Sequence, residues 1–521
     1  MRVLLSVLPS FQNTSFFVAH LGNACIAAYL KKYLPDIQVN TIDLRSDSEC
    51  KNIWSSSDLP QLTFNKTFVS DIYDLPIIAD LINKFEKYHT IRATLEPTPE
   101  VISNWALDRS LKTENVINKL TKTNFFALRH LKKFENYDIV GFSLYTTNLY
   151  LSILMAILIR LSYPHIKIVF GGPQVTQGET TRELLLKSKV ADFLILGEGE
   201  QPMLELIQAL QQNESVEKII GIKTLENFSS IDTFSQTANL EELPTPDYLN
   251  TDFSLFSPYV VPVYSNRGCP FRCHFCSEHS LFGKKFKRRS PQRVIEDMIE
   301  LNKRYDIYDF TIADSLINSS DEWLEEFTDI LLQKNLDFNW GGYFRAELGK
   351  ELVEKMSRAG LVSAILGVES FSQQTLNSMN KKKVRQEIID TINYLVDNNV
   401  HSYVNLFVGY PGEKEEDFLV TLDVSNELYE HFRQKNKSEY FRITARNFQM
   451  RPFSNVYNSY EKFGLEAESW SSEFMPDYMP ENLKNVFDKT LCSFKVKDVS
   501  LEDTIHRIIR MKEVRAKTIQ V

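Results

Sequence analysis

The chain has few cysteines, no surplus of positive charge and no long apolar run. Six cysteines in 521 residues argue against a disulfide framework and are typical of a reducing, cytoplasmic environment. The net charge of -9 at pH 7 argues against an extended nucleic-acid surface, because phosphate binding needs clustered Lys and Arg. The longest apolar run, residues 149–161, is too short to cross a bilayer. We therefore expect neither a nucleic-acid partner nor a membrane span.

Apolar sequence is nevertheless plentiful, at 43% of the chain, and the length exceeds that of a single domain. Strand-like apolar segments alternate with segments of helical period. This alternation predicts an α/β protein with an N-terminal Rossmann-like parallel-sheet domain, residues 1–226, which carries a helical insertion at about 46–135. A proline-rich linker, 227–261, leads to a second domain of about six β/α units, 262–450. A small α-rich extension, 451–521, follows.

Three of the six cysteines lie in one short segment: Cys269, Cys273 and Cys276, with three and then two residues between them. Three thiolates with this spacing can hold one iron–sulfur cluster, but cubane clusters usually take four cysteines. One iron would therefore stay open. Because an open iron can bind and reduce a small molecule, the spacing favours a catalytic cluster over a purely structural metal site.

A zinc site is the alternative interpretation of the same segment, with His274 or His279 as the fourth ligand. Structural zinc sites usually draw a second ligand pair from further along the chain. The only later cysteine in the sequence is Cys492, which stands alone. The ligand count therefore favours the iron–sulfur cluster.

The cysteine segment resembles the signature of the radical S-adenosylmethionine (SAM) enzymes, Cys-x3-Cys-x2-Cys with an aromatic residue before the last cysteine. Phe275 fills that aromatic position. The resemblance implies a 4Fe-4S cluster held by Cys269, Cys273 and Cys276, which would be both metal ligands and catalytic residues, with Phe275 near the adenine of SAM. In this family the open iron chelates SAM, and one electron splits it to give a 5′-deoxyadenosyl radical. The resemblance also implies a partial (β/α)6 barrel for the second domain.

Polar residues and glycines follow the predicted strands of this domain, at the ends where such barrels place their chemistry. Residues 366–370 resemble the family's fourth-strand SAM motif, and residues 408–412 resemble the fifth-strand motif that backs the adenine. Arg345 follows the third strand and suits the SAM carboxylate, while Asp314 is ambiguous between SAM and substrate. An ion pair of Arg345 and Glu369, with each other or with a helix, is the alternative. The predicted SAM contacts are Phe275, Asp314, Arg345, Gly367, Glu369, Ser370 and Gly409.

In the N-terminal domain, the glycine pairs 171–172 and 197–199 follow two successive predicted strands. Glycines at the carboxyl ends of parallel strands allow a ligand-binding rim. The ordered pair resembles the cobalamin-binding domain that precedes the radical SAM domain in a subfamily that includes methyltransferases and the anaerobic magnesium-protoporphyrin cyclase. The resemblance implies cobalamin contacts from Ser143, Tyr145, Thr146, Gly171, Gly172, Gly197, Glu198, Gly199 and Glu200.

The segment after the first predicted strand departs from that family's pattern. Many cobalamin domains carry Asp-x-His-x-x-Gly there, and the histidine binds cobalt, whereas this chain has Pro-Ser-Phe-Gln-Asn at residues 9–13. His20 is the nearest histidine, and its place on a predicted helix favours a packed side chain over a cobalt ligand. Either cobalamin binds without a histidine on cobalt, or the domain keeps the shape without the cofactor.

Together the two resemblances imply a cobalamin-dependent radical SAM enzyme, most simply one that methylates an unactivated carbon. Its substrate would be a small molecule or peptide of the natural-product, lipid or tetrapyrrole classes. Its electrons would come from a reductant protein such as flavodoxin or ferredoxin. A non-methylating cyclase or rearrangement enzyme is the alternative within the family. A metal-stabilised binding protein is the alternative outside it, but such a protein makes no use of an open iron.

Overall fold

The computed structural model describes the following residues: 1–9, 18–47, 49, 67–68, 75–90, 98–108, 113–256, 260–282, 285–469, 481, 491–496 and 501–519. The chain forms two compact units. The first comprises 1–238, 242–259 and 467–493, and the second comprises 239–241, 260–466 and 494–521. The domain boundaries predicted from the sequence stay a prediction.

The strands are β1 Arg2–Val7, β2 Gln38–Asp43, β3 Thr67–Phe68, β4 Ile139–Ser143, β5 Lys167–Gly171, β6 Phe193–Ile195, β7 Ile222–Lys223, β8 Val261–Val263, β9 Asn266–Arg267, β10 Lys287–Arg288, β11 Asp309–Ile312, β12 Asn339–Phe344, β13 Leu361–Glu369, β14 His401–Val408, β15 Phe441–Asn447, β16 Leu465–Ser469 and β17 Leu491–Val496.

The α-helices of the described residues are Leu21–Tyr33, Leu75–Tyr88, Pro99–Asp108, Thr113–Leu131, Leu149–Ser162, Pro173–Gln177, Glu179–Lys187, Glu200–Gln212, Glu278–Leu281, Pro291–Tyr305, Asp321–Gln333, Lys350–Arg358, Gln373–Ser378, Arg385–Asp397, Glu415–Gln434, Asn455–Asn458 and Leu501–Ile519. None of these helices, over the parts that the structure describes, combines the length and the apolar character that a membrane crossing requires.

The first unit is built on a six-stranded sheet in the order β2-β1-β4-β5-β6-β7. All neighbours are parallel except β6 and β7, which pair antiparallel. β1 and β4 are almost wholly buried, as expected for parallel strands whose two faces are both covered. The chain order reverses on either side of β1, and ligands of open α/β sheets bind at the carboxyl ends of the strands beside such a switch point.

Between β2 and β4 the described residues of this unit are largely helical. The helices Leu75–Tyr88, Pro99–Asp108 and Thr113–Leu131 fall in the stretch where the sequence predicts a helical insertion. Their apolar residues share one core with the helix Leu149–Ser162, whose residues from 149 to 159 are all buried. The insertion therefore adds a layer to the sheet domain.

The second unit holds a six-stranded sheet in the order β15-β14-β13-β12-β11-β8, and every neighbouring pair is parallel. Helices alternate with the strands along the chain. Six parallel strands are fewer than the eight that close a β/α barrel. The α/β class and the partial (β/α)6 barrel that the sequence predicts are thus confirmed. The helix Leu501–Ile519 packs against β14, β15 and the helix Glu415–Gln434.

Candidate functional site

The three cysteines lie in one loop whose two ends are tied together. The loop runs from β9 to β10, and these short strands pair antiparallel. Cys273 is buried and Cys269 and Cys276 are half-buried, and none of the three forms a disulfide. Gly268 opens the loop with φ +87°, a backbone conformation that favours glycine. The sequence segment therefore folds into a compact turn that keeps three thiols together.

Burial dominates the electrostatic environment of the Cys269 and Cys276 thiols. Burial, followed by neighbouring charges, raises the pKa of Cys269, and burial raises the pKa of Cys276 to about 12. A coordinated metal reverses this effect, because it deprotonates a ligating thiol outright. The number, burial and chemistry of the thiols therefore fit an iron–sulfur cluster.

Arg345 follows β12 and lies against the cysteine loop. Its Nη1 is 3.7 Å from Cys273 Sγ, and its guanidinium carbon lies 3.8 Å from the centre of the Phe271 ring. Nε donates to Glu347 at 2.8 Å, and Nη2 donates to the carbonyl of Lys381. Arg345 thus places a fixed positive charge beside the Cys273 thiol. Its predicted contact with SAM stays a prediction.

Glu369 ends β13 at an irregularity of the strand and has φ +72°, a strained conformation for a residue with a side chain. Its Oε1 accepts a hydrogen bond from Lys381 Nζ at 3.1 Å, and both side chains are buried. The same ammonium group lies 5.6 Å from the ring of Phe275. A Cβ at Gly367 would lie 2.9 Å from the Glu369 carboxylate. Three predicted SAM residues, Phe275, Gly367 and Glu369, therefore meet around Lys381.

Lys381 is a candidate functional residue that the sequence reasoning missed. It stands in the run Lys381–Lys383, and such a run ordinarily indicates a solvated loop. The ion pair that the structure forms is Glu369 with Lys381, while Arg345 pairs with Glu347. Each residue thus forms an ion pair, but neither the pairing of Arg345 with Glu369 nor a pairing with a helix is observed, because both of their partners lie outside helices.

Asp314 follows β11 and is bonded to the residues that precede the cysteine loop. Its Oδ1 accepts from the backbone N–H groups of Ser265 at 2.9 Å and Asn266 at 3.1 Å, and its Oδ2 accepts from the Asn266 amide at 2.7 Å. Burial raises the pKa of Asp314 to about 6, although these hydrogen bonds oppose the rise. The carboxylate therefore anchors the entry to the loop, and its predicted contact with SAM or substrate stays a prediction.

Gly409 follows β14, with φ +78°, beneath the helix Leu501–Ile519. A Cβ on Gly409 would lie 3.0 Å from Thr504 Oγ1 of that helix. The N–H of Gly409 donates to Glu413 at 2.7 Å, and Arg507 of the helix donates to the same carboxylate at 3.2 Å. The end of β14 is therefore joined to the C-terminal helix. Ser370, another predicted SAM residue, is buried and hydrogen-bonds Thr421 at 3.0 Å.

The glycines of the first sheet lie at its carboxyl edge, where the sequence predicts a cobalamin rim. Gly172 has φ +94°, and a Cβ there would lie 2.9 Å from the Leu144 nitrogen. Gly197 has φ +90°, and a Cβ there would lie 2.9 Å from the Ser235 nitrogen. The close approaches that these two glycines allow are therefore made to the protein's own backbone.

The other predicted rim residues also follow strand ends. Thr146 Oγ1 bonds Gln174 at 2.8 Å, and Glu198 accepts from the Thr237 N–H at 3.1 Å. Glu200 begins the helix Glu200–Gln212, where the helix dipole favours a carboxylate. Of the remaining predicted positions, Ser143 ends β4, Gly171 ends β5, and Gly199 directly precedes the helix Glu200–Gln212. Tyr145 is exposed.

His20 lies directly before the helix Leu21–Tyr33 and caps it. Its Nδ1 accepts the Asn23 N–H at 3.0 Å, and its Nε2 is 2.9 Å from the Tyr145 hydroxyl. Both ring nitrogens are engaged, which confirms the expectation of a packed side chain. Of the departing segment 9–13, residues 10–13 lie outside the described residues. The rim offers hydroxyl, carboxylate and backbone groups, and this donor set fits cobalamin without a histidine on cobalt.

Comparison with known proteins agrees with the geometry of the loop. Residues 263–424 match the Radical SAM superfamily. An uncharacterized methyltransferase of Pyrococcus horikoshii, PH0819, is 28% identical over 305 residues, which are 57% of this chain and 66% of that protein. The anaerobic magnesium-protoporphyrin IX monomethyl ester cyclase of Rubrivivax gelatinosus is 25% identical over 380 residues, which are 69% of this chain and 65% of the cyclase. The chain thus spans slightly less than two thirds of the length of these curated relatives.

A solved structure shows how far the fold is shared. The cobalamin-dependent S-adenosylmethionine radical enzyme OxsB with aqua-cobalamin bound matches 99% of this chain and 67% of its own, with a TM-score of 0.62 and 15% identity. At that identity the likeness shows the fold alone. A radical SAM domain implies a 4Fe-4S cluster and SAM, and the cysteine loop has three thiols that can ligate the cluster. The chain therefore carries a radical SAM domain at residues 263–424.

Proposed function

We propose that this protein is a cobalamin-dependent radical SAM methyltransferase that methylates an unactivated carbon of a small molecule or peptide. The observation that carries the proposal is the gathering of three cysteines in one tied loop, with Arg345 beside Cys273. Methylation rather than another radical reaction is supported by the relative named as a methyltransferase and by the fold shared with a cobalamin-dependent enzyme.

The residues of the second unit have separable tasks in this proposal. When bound, the cluster and SAM supply the 5′-deoxyadenosyl radical, and a reductant protein such as flavodoxin or ferredoxin supplies the electron. Cys269, Cys273 and Cys276 would hold the cluster through their thiolates. Arg345, whose Nη1 lies 3.7 Å from Cys273 Sγ, would hold a positive charge beside the cluster.

Glu369 and Lys381 would orient SAM. The Glu369 carboxylate is an acceptor for the amino or ribose groups of SAM, and the Lys381 ammonium, which Glu369 holds, is a donor for its carboxylate. Because the pair is buried, its charges act in a low dielectric and are worth more than at the surface. Gly367 leaves the space that this carboxylate occupies.

The carboxyl edge of the first sheet would hold cobalamin. Support comes from the switch point at β1 and from the rim residues already described, Ser143, Tyr145, Thr146 and Glu198 among them. His20 is engaged through both nitrogens, so the proposal is for cobalamin without a histidine on cobalt. An electron paramagnetic resonance spectrum of the Co(II) form without nitrogen splitting from the protein would agree with this mode.

A radical cyclisation without methyl transfer is the second candidate function. The cyclase relative matches 69% of this chain, more than the 57% matched by the relative named as a methyltransferase. The two candidates share the cleavage of SAM and differ in the second product. Methyl transfer converts further SAM to S-adenosylhomocysteine, and cyclisation does not.

The test is anaerobic purification and reconstitution of the full chain, followed by measurement of iron, cobalamin, 5′-deoxyadenosine and S-adenosylhomocysteine. We expect iron-dependent release of 5′-deoxyadenosine that is lost in Cys273→Ala, because the cluster loses one of three ligands. Cys25→Ala is the matched control, since Cys25 is also buried but lies in the first unit. Its iron content and product release should equal those of the wild type.

Three results would decide between the methyltransferase, the cyclase and a protein without a radical SAM cluster. Zinc in place of iron after reconstitution would contradict both candidate enzymes. Product release that persists in Cys273→Ala would contradict the assignment of the loop. Release of 5′-deoxyadenosine without S-adenosylhomocysteine, across tetrapyrrole, lipid and peptide substrates, would favour the cyclase.

A further inference from the structure

We propose that Asp47, Glu49 and His130 bind a zinc ion in the first unit, apart from the cysteine loop. The ligand atoms of these three side chains all lie within 4.8 Å of one another. Asp47 lies four residues after β2, and His130 lies in the last turn of the helix Thr113–Leu131. A metal there would join the segment after β2 to the inserted helix. This site is independent of the proposed function.

His130 points to a ligand because its ring is buried and unsatisfied. The residue is only 5% exposed, and neither ring nitrogen has a hydrogen-bond partner. Buried polar groups in native proteins are nearly always paired, so such an orphan requires an explanation. Phe126 packs on the ring with centroids 4.4 Å apart, which fixes its position. The imidazole is therefore held in place near the Asp47 carboxylate without the geometry of a hydrogen bond, as two ligands of one metal ion would be.

The spacing between His130 and Asp47 is that of two ligands on one tetrahedral ion. His130 Nε2 lies 3.4 Å from Asp47 Oδ2. Two atoms that are each about 2.0–2.1 Å from a tetrahedral zinc ion lie about 3.4 Å apart. The other oxygen of Asp47, Oδ1, accepts the Glu49 N–H at 2.9 Å, which orients Oδ2 toward the ring. His130 Nε2 and Asp47 Oδ2 are thus spaced as two ligands of one tetrahedral zinc ion are.

Glu49 would be the third zinc ligand, and it approaches the site from the solvent side. Its side chain is 39% exposed and contacts Arg129, which is mostly exposed. A carboxylate has two oxygens, so it can accept from an arginine and still ligate a metal, and ligating carboxylates are commonly held by such outer partners. One nitrogen and two carboxylate ligands suit zinc better than magnesium or calcium, which prefer oxygen alone. Water would fill the fourth position.

The experiment measures zinc in the reconstituted full-length holoprotein after equilibration with zinc sulfate and gel filtration. We expect stoichiometric zinc in addition to the cluster iron, and X-ray absorption at the zinc edge with only nitrogen and oxygen neighbours at about 2.0 Å. Zinc in the cysteine loop would instead show sulfur neighbours. His130→Gln and Asp47→Asn should lose the zinc and keep the iron.

Two further variants protect the test against misfolding. Glu49→Gln changes a partly exposed side chain and should weaken zinc binding by roughly tenfold or more without affecting iron. His165→Gln, at an exposed histidine of the same unit, should bind zinc as the wild type does. Absence of retained zinc in the wild type, sulfur neighbours around it, or wild-type affinity in Glu49→Gln would overturn the proposal.

Discussion

Replacement of Arg507 by methionine is expected to release the C-terminal helix Leu501–Ile519 from the barrel. The Arg507 side chain is 6% exposed, and its Nη1 lies 3.2 Å from Oε2 of Glu413, which is 1% exposed. Methionine keeps most of the apolar stem and removes the charge. Glu413 then loses its cationic partner, while its Oε1 already lacks a hydrogen-bond partner. The variant therefore leaves a buried carboxylate that keeps the hydrogen bond from the Gly409 N–H but has lost the Arg507 cation.

The free energy that Arg507→Met costs depends on whether Glu413 stays ionised or takes up a proton. Removal of one member of a buried ion pair costs about 3–5 kcal/mol when the other stays charged. Burial raises the pKa of Glu413 to about 7, so the carboxylate takes up a proton instead. Protonation reduces the expected cost to about 2–3 kcal/mol near neutral pH. Since about 1.4 kcal/mol is a factor of ten, the helix should open about 30 to 150 times more often.

Hydrogen exchange of peptides from residues 501–519, followed by mass spectrometry, measures this opening directly. Arg510→Met is the matched control on the same helix, because Arg510 is 40% exposed and pairs with Glu415, which is 52% exposed. An exposed pair contributes about 0–1 kcal/mol, so the control should accelerate exchange by less than about fivefold. Equal acceleration in the two variants would refute the reasoning, because it would mean that the Arg507 pair is no more buried than its neighbour.

Four further outcomes follow. Burial raises the pKa of Glu413 in the folded protein from 4.5 to about 7, so the stability that this group contributes is full below about pH 4.5 and is lost as the pH rises through 7. After correction for intrinsic exchange rates, hydrogen exchange of the helix Leu501–Ile519 should be roughly tenfold faster at pH 8 than at pH 6. Glu413→Gln should abolish this difference. Gly172→Ala should lower stability in urea unfolding by about 2 kcal/mol, because of its φ of +94° and a contact at 2.9 Å, whereas Gly349→Ala, with open space around it, should cost little. Asp314→Asn should lower the iron retained on gel filtration, since the amide replaces an oxygen that accepts hydrogen bonds from the start of the cysteine loop. Lys381→Met should weaken SAM binding by roughly tenfold in calorimetry at unchanged iron content, and equal affinity would contradict its role.

The strands and helices were predictable because burial in a parallel sheet leaves a strong local signature. β1, Arg2–Val7, lies within the apolar run 2–8 of the sequence, and the apolar run 149–161 lies within the helix Leu149–Ser162. Strands covered on both faces are continuous apolar runs, so their positions depend little on the rest of the chain. The cysteine loop was predictable for a related reason, since its ligands are close in sequence.

The polar partners of the site were not predictable in the same way. Lys381 pairs with Glu369 across 12 residues, and Arg507 pairs with Glu413 across 94. A charged residue in a sequence ordinarily indicates solvent, and only the tertiary fold shows that it is buried with a partner. Asp314 was recognised as a polar strand end, but its hydrogen bonds to Ser265 and Asn266 depend on how β11 lies beside β8.

The glycines at the carboxyl edge of the first sheet have a consequence for tracing this family through evolution. Gly172 and Gly197 each leave room for the protein's own backbone, so selection for folding alone would preserve them. A descendant that had abandoned its cofactor would keep the same glycine spacing. The spacing of these glycines therefore reports how the backbone of this sheet packs rather than whether a cofactor is bound.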